Sequence, residues 1–70
     1  MAENNTYKMV ELVGTSGKSF ADAASQGVKR ASKTLRNLDW FEVIEMRGRL
    51  TDGKVAEFQT TVRIGFKLDR

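Results

Sequence analysis

Cysteine, histidine and proline are all absent from this chain of 70 residues, and the first two absences exclude whole classes of chemistry. Without Cys or His the chain has no disulfide, no thiolate nucleophile and none of the usual zinc or haem ligands. No stretch approaches the roughly 20 consecutive apolar residues that a membrane span requires. The polar residues 1–5 give no sign of a signal peptide. The sequence therefore predicts a cytoplasmic protein with neither a metal site nor a membrane partner.

Seventy residues form one small domain, which we assign to residues 1–70. A monomer of this size buries only roughly 60% of the surface that its unfolded chain exposes. Small scaffolds are usually stabilised by disulfides, a metal or association. Only association remains here, so we expect an oligomer. The net charge of +3 is a mild excess, which suits phosphorylated small molecules as well as nucleic acid.

Hydrophobic periodicity predicts a single helix among three strands. A capping-box-like Ser19 and Asp22 begin the helix, whose apolar 3.6-residue period continues as far as Leu38. Asp52-Gly53 predicts a tight hairpin turn, because both residue types tolerate a positive φ. In chain order the predicted elements are a strand Thr6–Val13, a turn Gly14–Gly17, the helix, a strand Trp40–Leu50, the hairpin turn and a strand Val55–Leu68. The expected order is β-α-β-β.

The last two strands indicate which surfaces are covered. In the third strand the residues Ala56, Phe58, Thr60, Val62, Ile64, Phe66 and Leu68 share one face, which should pack on the helix. In the second strand, strict alternation places Trp40, Ile44, Met46 and Leu50 on one face and Phe41 and Val43 on the other. One helix cannot cover both faces, so one apolar set must meet another subunit or a ligand.

An ordered series of short motifs identifies a resemblance over Tyr7 to Leu68. The series is Val10-Glu11-Leu12-Val13-Gly14-Thr15-Ser16, Lys33-Thr34-Leu35-Arg36, Leu38-Asp39-Trp40-Phe41-Glu42-Val43, Arg47-Gly48, Asp52-Gly53, Phe58-Gln59 and Val62-Arg63-Ile64-Gly65-Phe66-Lys67-Leu68. In this order and at this length the chain resembles the dodecins, a family of small flavin-binding proteins.

The resemblance implies an α+β protomer in which a three-stranded antiparallel sheet wraps around one helix, and twelve such protomers form a hollow shell. It also implies that flavins, FMN or riboflavin, bind in pairs at two-fold contacts between Trp residues of two subunits. Trp40 would stack on the flavin, and Gln59 would hydrogen-bond its polar edge. Arg47 and Lys67 match basic positions near the phosphate of FMN or of coenzyme A. Relatives often carry Arg where Lys67 stands, so a bidentate grip there would become a point charge.

Elementary chemistry agrees with these roles. The isoalloxazine ring is electron-poor and indole is electron-rich, which favours offset stacking. A Gln amide offers one acceptor and two donors to the mixed edge of the flavin. From composition alone, however, Trp40 would more often be a core or interface residue, and Gln59 a solvated strand residue.

The function that the resemblance implies is flavin storage and sequestration, with quenching of flavin photochemistry, rather than catalysis. The chain has no obvious base beside a Ser or Thr nucleophile, so we expect no enzyme. Three alternatives remain: a carrier of coenzyme A or another nucleotide, an RNA-associated module using the basic run 29–36, and a purely structural oligomer. The basic run has no interleaved aromatic residue to stack on bases, so we expect no nucleic acid. The segment Gly14–Ser19 lacks the first glycine of a phosphate loop.

Overall fold

In the computed structural model, which describes residues 4–68, a three-stranded antiparallel sheet carries one helix on one of its faces. The elements are β1 (Tyr7–Ser16), α1 (Phe20–Ala31), β2 (Leu38–Thr51) and β3 (Lys54–Lys67). The strand order is β1-β3-β2, so β3 lies in the centre and both neighbours run antiparallel to it. The predicted β-α-β-β order and antiparallel sheet are confirmed.

The core lies between α1 and the central strand. Val62 and Ile64 of β3 are almost completely buried, and they pack against Ala24 and Ala31 of the helix. Thr60 is also buried on this face, where its hydroxyl donates a hydrogen bond of 2.9 Å to the carbonyl oxygen of Phe20. The predicted helix-facing set of the third strand is therefore confirmed at its centre.

The helix starts where the sequence predicts and ends earlier. The backbone N–H of Asp22 donates to the Ser19 hydroxyl at 2.9 Å, which confirms the N-cap. The helix ends at Ala31, not near Leu38. At the C-terminal end of the helix, the Ser32 hydroxyl donates a hydrogen bond to the carbonyl oxygen of Lys29. The apolar period continued to Leu38 because the residues after the helix still pack on the same core.

The first strand runs three residues past its predicted end. Gly14 was assigned to a turn, but it is a buried strand residue paired with Thr60. A Cβ at Gly14 would overlap the Ala23 carbonyl group and lie 2.9 Å from the Gly27 nitrogen. Because Gly14 has no side chain, the helix can lie directly on β1 at this position.

The hairpin between β2 and β3 has the predicted turn. Asp52 and Gly53 have φ values of 52° and 75°, so both central residues lie in the left-handed region that a tight hairpin turn requires. The two strands are 14 residues each and extend well beyond the helix. The chain is consequently elongated, with principal extents of 58 × 20 × 14 Å.

The prediction that side chains alternate strictly between the two faces along the second strand is wrong. A register shift between Val43 and Glu45 inserts one extra residue opposite β3. Such a bulge reverses the side-chain alternation of the residues that follow it, here as far as the next register shift between Arg49 and Leu50. As a result Met46 shares the helix-side face with Phe41 and Val43, not the face of Trp40.

The helix-side face of β2 has almost no cover within the chain. Every residue of β2 after Leu38 is exposed. Phe41, Val43 and Met46 retain 50%, 48% and 61% exposure, and they border an apolar groove of about 610 Å³ against α1. Isolated domains rarely expose a continuous apolar surface of this kind, which agrees with the expected association. Within residues 4–68, no helix is long and apolar enough to cross a membrane.

Candidate functional site

Trp40 lies on the sheet face opposite the helix, with its indole face down on Gly65. The two residues are paired across β2 and β3. A Cβ built on Gly65 would come within 2.6 Å of three consecutive carbons of the indole benzo ring. An edge-on approach would leave the two outer carbons much farther than the middle one, so the ring is stacked on the glycine backbone. The indole retains 40% exposure, which excludes the reading of Trp40 as a core residue of the single chain.

Tyr7 contacts the indole, and Lys67 lies next to Tyr7 on the same face of the sheet. The Tyr7 ring lies 5.0 Å from the indole, centroid to centroid, and is tilted by 60°. Tyr7 pairs with Lys67 across β1 and β3, one step along the outer face from Gly65. Within residues 4–68, no ion pair engages the Lys67 ammonium. We call the set Tyr7, Trp40, Gly65 and Lys67 the aromatic end of the outer face.

Gln59 and Arg47 lie together at a second position on the same face. They are paired across β2 and β3. Arg47 forms an ion pair with Glu45, and its guanidinium donates to the Thr61 hydroxyl at 3.1 Å. The amide of Gln59 donates to Glu57 at 2.9 Å. We call Arg47, Gln59 and Glu57 the polar end of the outer face.

The carboxylate of Glu57 fixes the orientation of the Gln59 amide. The hydrogen bond from Gln59 is the main cause that lowers the pKa of Glu57 below its usual value. Desolvation opposes this shift, and the nearby Arg49 guanidinium adds to it. Because one amide hydrogen is committed to Glu57, the carbonyl oxygen and the second hydrogen of Gln59 stay available to a ligand.

The structure does not bring all four predicted site residues together within one chain. Gly65 under Trp40 and Gln59 are six residues apart on β3, which corresponds to about 20 Å along an extended strand. Between them, Arg63 pairs with Glu11 at 3.1 Å and with Glu42 at 3.8 Å. Trp40 and Lys67 therefore belong to one end, and Arg47 and Gln59 to the other. A site that uses both ends needs two chains.

The other candidate surface is a polar cleft of about 720 Å³ between β1 and α1. Its lining includes the loop residues Gly17 and Lys18 and the cations Lys29, Arg30 and Lys33 of the basic run. Asp22 lies in this cleft as an anion, since a hydrogen bond from the Ser16 hydroxyl at 2.6 Å is the main cause that lowers its pKa. The negative charge of this hydrogen-bonded carboxylate opposes the binding of a phosphate at the start of the helix. Within residues 4–68, no group of three or more acidic side chains could hold a metal ion.

Sequence reasoning missed two residues of the aromatic end. Gly65 interrupts an otherwise strongly β-forming segment, and an isolated strand glycine often marks a place where another group approaches the backbone closely. Tyr7 is the single Tyr of the chain, but nothing in its local pattern relates it to Trp40. Their contact depends on sheet order, because β1 and β2 are separated only by β3.

Known proteins match nearly the whole chain. The sequence model of the Dodecin family matches residues 6–69. The dodecin of Thermus thermophilus is 49% identical over 63 residues, which cover 90% of this chain and 91% of that protein. The solved dodecin of Streptomyces coelicolor superposes with a TM-score of 0.94 at 46% identity and covers 99% of both chains. The dodecin of Streptomyces davaonensis gives a TM-score of 0.93 at 50% identity, covering 97% of this chain and 100% of that one.

Proposed function

The chain belongs to the dodecin family, and on that premise we propose that it binds and sequesters a flavin, FMN or riboflavin, as a homo-oligomer of twelve chains. One observation carries the proposal: the Trp40 indole is held flat against Gly65 with its other face directed away from the sheet and 40% of the residue exposed. A rigid aromatic face of this kind suits a flat, electron-poor ring system better than it suits a flexible ligand.

The separation of the two ends supports a two-fold arrangement. In a two-fold contact the same surfaces of two chains meet in reverse orientation, so the aromatic end of one chain can face the polar end of its partner. Each contact would then hold two copies of the complete residue set. The Trp40 side chains would close the stack from both sides, and each Gln59 would hydrogen-bond a flavin edge.

The two cations differ in their readiness to bind a phosphate. Arg47 is already paired with Glu45 and bonded to Thr61, so a phosphate there must compete with a carboxylate. Lys67 is exposed, and its side chain lies on the same end as Trp40. We therefore expect Lys67 to contribute more than Arg47 to any preference for FMN over riboflavin, as a point charge rather than a bidentate clamp.

A stacked indole also explains the proposed biological effect. An excited flavin in contact with an electron-rich indole is quenched by electron transfer. A stack closed on both sides leaves no room for a substrate beside the flavin. Binding, storage and protection from light follow from this arrangement more directly than turnover does.

The assembly has its own physical support. The apolar side chains of Phe41, Val43 and Met46 are left open on the helix side of β2, and at roughly 25 cal/mol per Å² their burial would stabilise association substantially. This surface lies on the opposite side of the sheet from Trp40, so subunit contacts there leave the aromatic end accessible. A second surface, the outer face, remains for the ligand.

The test is a flavin fluorescence titration of the apo-protein with FMN and with riboflavin. We expect strong quenching that saturates near one flavin per chain, and we expect Trp40→Ala to abolish it. Lys67→Ala is the matched variant: it should weaken the binding of FMN and leave the binding of riboflavin unchanged. Light scattering on each variant checks that assembly is intact. Absence of quenching by the wild-type protein would refute flavin binding and direct attention to coenzyme A.

A mixing experiment tests whether each site is shared between chains. Trp40→Ala and Gln59→Ala chains are unfolded together, refolded together and compared with each variant alone. If the two ends meet across a two-fold contact, mixed assemblies contain some contacts with one complete residue set, and they bind more flavin than either parent. Equal binding by mixed and separate samples would contradict a shared site.

A further inference from the structure

Tyr7 is the residue of the outer face whose position the proposed function leaves unexplained. It lies at the start of β1, and it is 37% exposed. It is not part of the buried core cluster. Its ring contacts Trp40 in a tilted arrangement, at 5.0 Å between centroids and 60° between planes. Within residues 4–68, this large aromatic side chain at an exposed strand end therefore has one aromatic neighbour, and that neighbour is the proposed stacking residue.

The geometry of the sheet explains how Tyr7 reaches Trp40 although their strands are not adjacent. Trp40 is paired with Gly65 of the central strand, where the absence of a side chain leaves the width of β3 open. The indole fills this space and extends toward β1. Tyr7 is paired with Lys67, two residues along β3 from Gly65. It therefore borders the indole on the side that faces β1, away from β2, the strand that carries Trp40.

Gly65 alone does not fix the indole. A glycine backbone supports the ring from below, but it offers no lateral contact, so rotation about the side-chain torsions of Trp40 remains possible. A tilted aromatic neighbour removes that freedom, since edge-to-face contacts are favourable at the observed separation. The two contacts together define both the plane and the direction of the indole.

We propose that Tyr7 is a positioning residue for the stacking site: its ring holds the Trp40 indole flat on Gly65 before the ligand arrives. The inference rests on the proposed function for its consequence on flavin affinity, but its structural part concerns the apo-protein alone. A pre-oriented indole spares the ligand the cost of ordering it, which raises affinity without adding a contact to the ligand. Loss of one aromatic pair should weaken flavin binding about threefold to tenfold.

The chain offers clean signals for a test, because it contains a single Trp and a single Tyr. The first readout is the apo-protein: the long-wavelength near-ultraviolet circular dichroism, where Trp absorbs and Tyr does not, and the anisotropy of Trp40 emission both report how firmly the indole is held. The second readout is the dissociation constant for FMN. The variants are Tyr7→Leu, which removes the ring, and Tyr7→Phe, which keeps it. Val13→Ala is the control, since Val13 is an exposed apolar residue on the same face of the same strand, distant from Trp40.

We expect Tyr7→Leu to reduce the apo-protein dichroism, lower the anisotropy and weaken FMN binding about threefold to tenfold. Tyr7→Phe and Val13→Ala should resemble the wild type in all three respects. Unchanged indole signals in Tyr7→Leu overturn the proposal even if FMN binding weakens, because Tyr7 would then act on the ligand directly. Failure of Tyr7→Phe to preserve the signals overturns it too, since the hydroxyl rather than the ring would be responsible. If the wild type binds no flavin, the proposed function fails, and the apo-protein signals still decide whether Tyr7 positions the indole.

Discussion

Replacing Gly65 by Ala displaces the proposed stacking surface, the Trp40 indole, without substituting any residue predicted to contact the ligand. The new Cβ would fall within 2.6 Å of three carbons of the Trp40 ring, whereas ordinary contact begins near 3.4 Å. The indole must therefore lift from the sheet by about 1 Å or swing away from it. Gly65 does not have a positive φ, so Ala fits the strand backbone without strain.

The expected loss of affinity follows from this displacement. In a two-fold site both indoles lift, which narrows the space between them by about 2 Å, more than half of the roughly 3.5 Å separation between stacked rings. Two flavins no longer fit in the original geometry. We expect the dissociation constant for FMN to rise at least about tenfold, equivalent to about 1.4 kcal/mol. Folding stability should change little, because Ala in a strand interior is favoured over Gly by roughly 0.5–1 kcal/mol, which offsets the disturbed contact.

The assay is a flavin titration combined with Trp40 emission and a urea unfolding curve. Gly17→Ala is the matched control: a Cβ there meets nothing within 4 Å, so it should bind FMN as the wild type does. If Gly65→Ala keeps wild-type affinity and an unchanged Trp40 spectrum, either the indole does not rest on Gly65 or the flavin does not stack on it, and the reasoning is refuted.

Three further predictions concern the fold and the assembly. Gly14→Ala should lower the free energy of unfolding by about 3 kcal/mol in urea titrations, because a Cβ would overlap the backbone carbonyl of Ala23; a loss below 1 kcal/mol would contradict this close packing. The lowered pKa of Asp22 means that its contribution to stability is present above about pH 4 and is lost as the pH falls through the folded-state pKa. Ser16→Ala removes the hydrogen bond that is the main cause of this shift, so the free energy of unfolding, measured between about pH 3 and pH 7, should depend less steeply on pH. An unchanged pH dependence would count against the Ser16–Asp22 hydrogen bond. Met46→Lys places a charge on the open helix-side face of β2 and should reduce the assembled mass in light scattering, whereas an unaltered mass would show that this face is not a subunit contact.

Much of the fold could be predicted because its signals are local. The N-cap at Ser19 and the Asp52-Gly53 turn depend on a few neighbouring residues, and both are found as predicted. The predictions failed where a distant contact overrides a local pattern. Gly14 resembles a turn residue until the helix is packed over it. The helix-like period up to Leu38 persists because a turn and a strand start pack on the same core.

By itself the sequence determined the β-α-β-β order, the hairpin, the buried face of the central strand and the resemblance that points to Trp40 and Gln59. Only the tertiary structure decided how these residues are distributed. The bulge after Val43 separates Met46 from the face of Trp40. The central position of β3 allows Tyr7 and Trp40 to meet above Gly65 and leaves Gln59 about 20 Å away along the strand. The physical reason is that periodicity assigns a residue to a face, whereas strand order and register determine which residues on that face are neighbours.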